Sequence, residues 1–351
     1  MREFPEHGSQ YPLGCRSGAD IPTMRVKAMG VALAAALVAG GLSVAGCSQP
    51  ASEAGRTASH AGSSARDDQD GLRLPIIVEK PSASADAGAD AAQEQPQPEE
   101  TPEQKVAELQ AKLDQQVSAI ESTGAHISYY VMEVATGRSL EHDADRAYYS
   151  ASSVKAPYCI SLVRAKGAGA RQAYGNLIEQ TLRNSDNDSY RELRTKFYGQ
   201  AFYPDFMSEA GFKVDARYWY TNYSTRQLAQ IWAHADSWLS SGDGNASWVA
   251  GLLRDTLNSQ IDDVAGTNGT VTWSKAGWIS GDPKLNVAFD AGIVKAASGD
   301  YAIAVATDRG SDLNAVRSVL EPLVALWNEQ AAQQTAGQGQ QAAGAGQRAG
   351  Q

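Results

Sequence analysis

The sequence holds 351 residues, with 30 Lys+Arg against 40 Asp+Glu and a formal net charge of −10. Ten of the acidic and four of the basic residues fall between positions 48 and 101, so the acidity belongs to one segment, and no basic cluster offers a nucleic acid a surface. Cys15, Cys47 and Cys159 supply no disulfide framework, and the five histidines (His7, His60, His126, His142, His234) lack ligand spacing; with no phosphate-cradling glycine loop visible, neither a metal nor a cofactor is expected.

In chain order, Met24-Arg25-Val26-Lys27 is a short positive segment, and residues 28–42 form an apolar run shorter than a membrane span needs. With residues 43–47 they read as a signal peptide over 24–47. Leu42-Ser43-Val44-Ala45-Gly46-Cys47 places small residues immediately before a cysteine and resembles a bacterial lipobox. That resemblance implies cleavage before Cys47 and acylation of its thiol; an ordinary signal peptide or an unprocessed anchor helix are the other readings. Residues 1–23 carry no targeting logic of their own, so Met24 is the expected initiator and 1–23 an over-extended N-terminus. Residues 48–100, rich in Ala, Ser, Gly, Asp, Gln and Pro, are expected to be a disordered acidic tether. The expected location is extracytoplasmic, with the chain held at the membrane through lipid on Cys47.

The folded region is predicted over 101–330, enough for one domain with a sizeable core. Thr101 can cap a helix, Pro102 suits its first position and Gln104 completes a capping box. Val106, Leu109, Leu113, Val117 and Ile120 follow as one apolar stripe. Strand-like runs come next at 126–134 and 138–142, then a mostly helical block from Ser152 to about Leu257, where Cys159 lies in an apolar run and reads as a small buried hydrophobe rather than a reactive thiol. Three more strand-like runs (270–280, 286–295, 301–307) precede a last helix starting near Ser311, with Val316, Val319, Leu320, Leu323 and Trp327 on one side. The predicted fold class is therefore α+β: an antiparallel sheet built from both ends of the chain, flanked by N- and C-terminal helices, with a helical subdomain inserted. Residues 331–351, repeating Gln, Ala and Gly, are expected to be a disordered tail.

Three short motifs carry chemistry. In Ser152-Ser153-Val154-Lys155 the first and last residues share a helix face, so a serine hydroxyl and a lysine amine can meet. Serine needs an adjacent base, and lysine can serve where burial or nearby cations depress its pKa. With strand or loop character before it, Ser152 would open the helix and leave its own N–H free for an oxyanion. Ser153 is out of register, since three residues on lies Ala156. Ser185-Asp186-Asn187 reads either as an Asx-type turn or as a loop in which a hydroxyl relays a proton and an amide holds substrate. Lys275-Ala276-Gly277 sits inside a strand-like run; Gly277 there points to close approach by a ligand or another backbone, and Lys275 is either cleft charge or an exposed strand lysine.

The trio in this order resembles the penicillin-recognising serine hydrolases, whose signature set is S-x-x-K, S-D-N and K-T-G. Residues 151–157 and 223–229 look especially like the class A β-lactamase-like group, and the resemblance spans 101–330. It implies a β-lactamase/transpeptidase-like fold. It further implies Ser152 as acylated nucleophile, Lys155 as its base or relay, Ser185 as proton shuttle, Asn187 and Gly277 at the substrate, and Lys275 orienting the shuttle and attracting a substrate carboxylate. The oxyanion hole would use the backbone N–H of Ser152 and Trp278, each donor being worth about 3 kcal/mol of barrier. Two departures stand out. No E-x-x-x-N segment follows the second motif, although Asp188, Glu192, Asp205, Glu209 and Asp215 lie between Asn187 and Thr225, and the aromatic stretch 213–223 looks like a rebuilt loop. Ala276 also replaces a hydroxyl residue. The resemblance thus implies a monomeric, secreted, lipid-anchored serine hydrolase acylated at Ser152 by a β-lactam or related amide or peptide substrate. A D,D-peptidase-like cell-wall enzyme and a catalytically retired envelope-binding lipoprotein are the alternatives.

Overall fold

The computed structural model describes residues 100–349, the side chains of 338–349 excepted. The expected N-terminal extension, signal peptide, lipobox cysteine Cys47 and nearly all of the tether lie outside the described residues. Helix α1 (Pro102–Glu121) opens the fold with the capping box intact: Thr101 accepts from the N–H of Gln104, whose side chain accepts from Thr101 in return. Strands β1 (Ile127–Glu133), β2 (Ser139–His142) and β3 (Ala147–Tyr149) lead to a 3₁₀ turn (Ala151–Val154). The helical block then runs through α2 (Lys155–Lys166), α3 (Ala168–Arg183), α4 (Asn187–Lys196), α5 (Phe202–Glu209), the short β4 (Asn222–Ser224), α6 (Thr225–Leu239), α7 (Gly244–Leu252) and α8 (Gln260–Ala265). Strands β5 (Val271–Ile279), β6 (Val287–Lys295) and β7 (Tyr301–Thr307) and helix α9 (Leu313–Ala349) complete it. Among the described residues no helix is long and apolar enough to cross a membrane.

The main sheet has the order β2-β1-β7-β6-β5, every neighbouring pair antiparallel. β1, from the N-terminal side, pairs along its whole length with β7, from Ile127 opposite Thr307 to Glu133 opposite Tyr301. The predicted antiparallel sheet built from both chain ends, with flanking helices and an inserted helical block, is the architecture found.

Each face of the sheet covers its own core. On one side Tyr301, Ile303 and Val305 pack with Leu113, Val117 and Ile120 of α1 and Val316, Leu320, Leu323 and Trp327 of α9. On the other, Ala302, Ala304 and Ala306 share a cluster with Leu228, Ile231 and Trp232 of α6. Strand alternation thus places bulky residues under two helices and small ones where α6 lies close. α6 is fixed at its start by a second capping box, Ser224 with Gln227, and by Arg226, which pairs with Glu141 and Asp145.

Two differences from the sequence reading have simple causes. β3 and β4 form a separate two-stranded sheet, each only three residues long and too short to show periodicity. The boundary expected at 330 falls inside α9, which continues to Ala349 with Ala331 buried against the core. Ala and Gln favour helix strongly enough to extend one already nucleated by packing, and of the segment expected to be a tail without structure, residues 331–349 are helical.

Candidate active site

The β3–β4 pairing fixes the approach to Ser152. Tyr149 lies opposite Asn222, and the N–H of Ser150 donates to the carbonyl of Thr221 at 3.1 Å. The chain then turns sharply: Ala151 has φ +42°, a conformation costly for a residue with a Cβ, and the 3₁₀ turn begins there. Ser153 closes the turn with two bonds to the Ser150 carbonyl, from its N–H (3.1 Å) and its Oγ (2.7 Å). Ser152 is left half-buried at the start of the turn.

Gly277 explains how the edge strand reaches this turn. A Cβ at that position would lie 2.4 Å from the N of Ser153 and 2.7 Å from the N of Ser152, so only glycine lets β5 press against the backbone of this turn. The approaching partner is backbone, one of the two options the sequence left open. Trp278, next along β5, is half-buried.

Lys155 opens α2 and is fully buried. Its Nζ donates to the carbonyl of Ser185 at 2.6 Å and to Oδ1 of Asn187 at 2.7 Å. Burial lowers its pKa to about 8. A neutral amine has two N–H groups and one lone pair, so these two acceptors consume both donors and leave the lone pair free. The loop presenting them is held in turn: Ser185 has φ +55°, and Asp186 caps α4 by accepting from the N–H of Ser189 at 2.7 Å. The Ser185-Asp186-Asn187 segment is therefore both an Asx-type cap and a receptor for the lysine.

Lys275 is fully buried, not an exposed strand lysine, and its Nζ donates to the carbonyl of Ala276 at 3.1 Å. Burial first, and then the like charge of Lys155, lower its pKa to about 7. Asp290 on β6, also fully buried, takes its Oδ2 to Ser259 Oγ (3.0 Å) and to the N–H groups of Gln260 (2.6 Å) and Ile261 (3.0 Å). Burial pushes this carboxyl up to about 6 despite those donors. Cys159, one helical turn beyond Lys155, is fully buried with its thiol pushed up to about 12 by that burial, which matches a packing role.

The structure thus gathers Ser152, Lys155, Ser185, Asn187, Lys275, Gly277 and Trp278 around one turn, with connections that differ in detail from those the resemblance implied. Ser152 and Lys155 share the α2 entrance but are not hydrogen-bonded to each other. Ser185 meets Lys155 through its carbonyl rather than its hydroxyl, and the Asn187 side-chain oxygen is occupied by the lysine.

Sequence reasoning missed Arg194 and the aromatic side chains around it. Arg194 is buried on α4 and donates to the carbonyls of Ala216 (2.9 Å) and Tyr218 (2.8 Å) and to the hydroxyl of Tyr190 (3.2 Å). Its guanidinium lies 4.6 Å from the ring centre of Tyr158 and 5.9 Å from that of Trp219. It holds the 213–221 loop against α4, and Tyr190 adds a bond from its hydroxyl to the Trp219 carbonyl. A usable signal existed: Arg194 sits four residues from Tyr190 and beside Leu193, on the apolar face of an otherwise polar helix. The loop brings Tyr220 against Tyr190 (5.6 Å between ring centres) and Tyr149 (5.9 Å), and the Tyr190 ring lies 5.6 Å from Lys155 Nζ.

None of the five acidic residues between Asn187 and Thr225 is hydrogen-bonded to Ser152 or Lys155. Asp188 pairs with Arg191, Glu192 and Asp205 are exposed, Glu209 bonds Arg164 at 2.5 Å, and Asp215 bonds Arg217 at 2.6 Å.

No protein-family model and no curated protein matches the sequence. Among solved structures, a β-lactamase from Sphaerobacter thermophilus is 20% identical, covering 63% of this chain and 97% of that one at a TM-score of 0.49. A class A β-lactamase from Mycobacterium abscessus is 16% identical, covering 62% and 99% at 0.49. The structure titled PBP-A is 18% identical, covering 62% and 96% at 0.47.

Proposed function

We propose that this chain is a serine hydrolase of β-lactamase-like type, acylated at Ser152 by a β-lactam or a related amide or peptide substrate. The observation that carries the reading is the seating of Lys155. A buried amine with a pKa lowered to about 8, both N–H groups committed to Ser185 and Asn187, has its lone pair available three residues from a half-buried serine. The amine takes the Ser152 proton as Oγ attacks the carbonyl carbon, and the resulting ammonium returns that proton to the leaving group. The backbone N–H groups of Ser152 and Trp278 are the proposed oxyanion donors, Gly277 setting the distance between the two segments. Lys275 lies close enough that the charge of Lys155 disfavours its own, which helps keep this second buried amine neutral beside the Lys155 ammonium.

A D,D-peptidase-like action has the same first step and differs in the acceptor. A catalytically retired binding lipoprotein is favoured because none of Asp188, Glu192, Asp205, Glu209 and Asp215 is hydrogen-bonded to Ser152 or Lys155, so none of them is seated there as a base for deacylation. The proposal includes export, lipid on Cys47 and action as a monomer outside the cytoplasm.

Intact-mass spectrometry of the full chain, made in a lipoprotein-processing bacterium and treated with a fluorophosphonate or benzylpenicillin, tests all of this. The expected spectrum is a chain beginning at diacylated or triacylated Cys47 and carrying one adduct, lost in Ser152→Ala. No adduct on wild type, or one that persists in Ser152→Ala, overturns the nucleophile. An unlipidated chain overturns the anchor alone. The lifetime of a penicillin adduct separates turnover from a trapped acyl-enzyme.

A further inference from the structure

The polar groups around Ser152 are engaged in a way that bears on which acyl donor the site accepts. Lys155 gives its donors to Ser185 and Asn187. Lys275 is wholly inaccessible (0% exposed) and donates to the Ala276 carbonyl. Arg191, beside Tyr220 and Asp186, is ion-paired with Asp188. The Asp186 carboxyl, held below its ordinary range first by the Ser189 hydroxyl and then by the Ser189 N–H, keeps a negative charge at the same rim. Ala276, which stands where the resembling motif carries a hydroxyl residue, is fully buried and has no side-chain donor. A carboxylate brought here would lose its water and meet cations already committed, and leaving a charge unpaired in a partly desolvated cleft costs several kcal/mol.

Aromatic rings occupy both flanks instead. Tyr220 and Tyr149, 5.9 Å apart, are brought to the nucleophile by the bond from Ser150 N–H to the Thr221 carbonyl. On the β5 side the Trp278 ring lies 5.9 Å from Lys275 Nζ. Tyr149, Tyr220 and Trp278 are each half-buried, so part of each residue stays accessible to a flat apolar group.

We infer that the preferred acyl donor is an uncharged ester or amide whose acyl half carries an aromatic ring, seated against Tyr149, Tyr220 and Trp278. The inference rests on the serine hydrolase reading above. For an ester, Ser152 Oγ forms a bond to the carbonyl carbon while its proton passes to Lys155 Nζ. The bond to the alkoxy oxygen breaks and the alcohol departs with that proton. Water then adds to the acyl-enzyme, releasing the carboxylic acid and restoring the Ser152 hydroxyl, with no oxidant or reductant involved.

The test compares acylation of the full chain by benzylpenicillin and by benzylpenicillin methyl ester, each rate divided by that compound's alkaline hydrolysis rate. The expected result is a methyl ester at least as fast as the free acid; a faster free acid overturns the uncharged class. In parallel, p-nitrophenyl phenylacetate and p-nitrophenyl acetate are compared in wild type and Tyr220→Ala, with active sites counted by fluorophosphonate labelling. The phenylacetate-to-acetate ratio of kcat/KM should fall at least 10-fold in the variant, and an unchanged ratio overturns the aromatic seat. Because the ratio is taken within one preparation, partial unfolding does not move it. Failure of wild type to react with the fluorophosphonate marks failure of the serine reading itself, a different result from either of these.

Discussion

A lysine amine is a base only while neutral, and Lys155 has an environment that makes neutrality accessible. Burial brings its pKa from the ordinary lysine range to about 8. Acylation of Ser152 by a neutral probe should therefore rise tenfold per pH unit below about 8 and level off above it, as read by stopped-flow release of p-nitrophenolate. Lys155→Arg should lower acylation by at least ~10³-fold at every pH, because a guanidinium does not deprotonate. An unchanged pH profile in that variant would remove Lys155 from the proton path. The buried Lys275 has a consequence for stability with a definite sign. Its pKa is about 7 folded and the ordinary 10.5 unfolded, so between those values the unfolded chain binds the extra proton and stability rises with pH. This contribution is lowest below about 7 and complete above 10.5. Ser152, Lys155, Asn187 and Lys275 were singled out by the resemblance of the three motifs, taken in order, to the penicillin-recognising serine hydrolases; each motif alone also allowed a purely structural reading. Asp290 was not, although one acid within the apolar run of β6 was a signal of a buried carboxyl.

The elements that shape the cleft are the 213–221 loop and α4, joined by Arg194. Two loop carbonyls depend on this guanidinium, and a buried acceptor left unpaired costs about 1–3 kcal/mol. Arg194→Met should lower unfolding free energy by about 2 kcal/mol. It should also speed amide exchange in 213–221 at least tenfold while leaving β5–β7 protected, as measured by hydrogen exchange. Arg194→Lys should not rescue, since one ammonium cannot reproduce the planar fork reaching Ala216, Tyr218 and Tyr190. Equal exchange in wild type and Arg194→Met would show that the loop is held by its aromatic packing alone. The aromatic character of this stretch was evident in the sequence. Its anchoring was not, because the partners are backbone carbonyls, which leave no compositional trace.

At the scale of the whole molecule, the sheet depends on both ends of the described chain. β1 lies between β2 and β7, and α1 covers the same face as α9, where Leu113, Val117 and Ile120 meet Leu320, Leu323 and Trp327. Fully burying each such side chain contributes about 1.5–3 kcal/mol. Deleting Pro102–Glu121 from the full chain should therefore abolish the cooperative thermal transition seen by circular dichroism. A deletion variant that melts cooperatively near the wild-type Tm would show that α9 alone sustains this core. It follows that Ser152, on the turn between β3 and α2, and Gly277, on edge strand β5, are brought together only once distant parts of the chain have joined.

The sequence by itself determined the α+β order of elements, the capped first helix, the runs of the five main strands and the residues of the three motifs. The elements are written in short-range periodicity and capping chemistry, and the motifs in short contiguous runs that gain meaning from their order and family resemblance. Tertiary structure alone decided that Lys155 is met by the Ser185 carbonyl and Asn187, that Lys275 is buried beside Asp290, and that Gly277 answers to the backbone of Ser152 and Ser153. It also decided that Arg194 holds the aromatic 213–221 loop against α4. Those relations link residues from 15 (Lys275 and Asp290) to more than 120 positions apart, and burial and close approach across such separations are properties of packing.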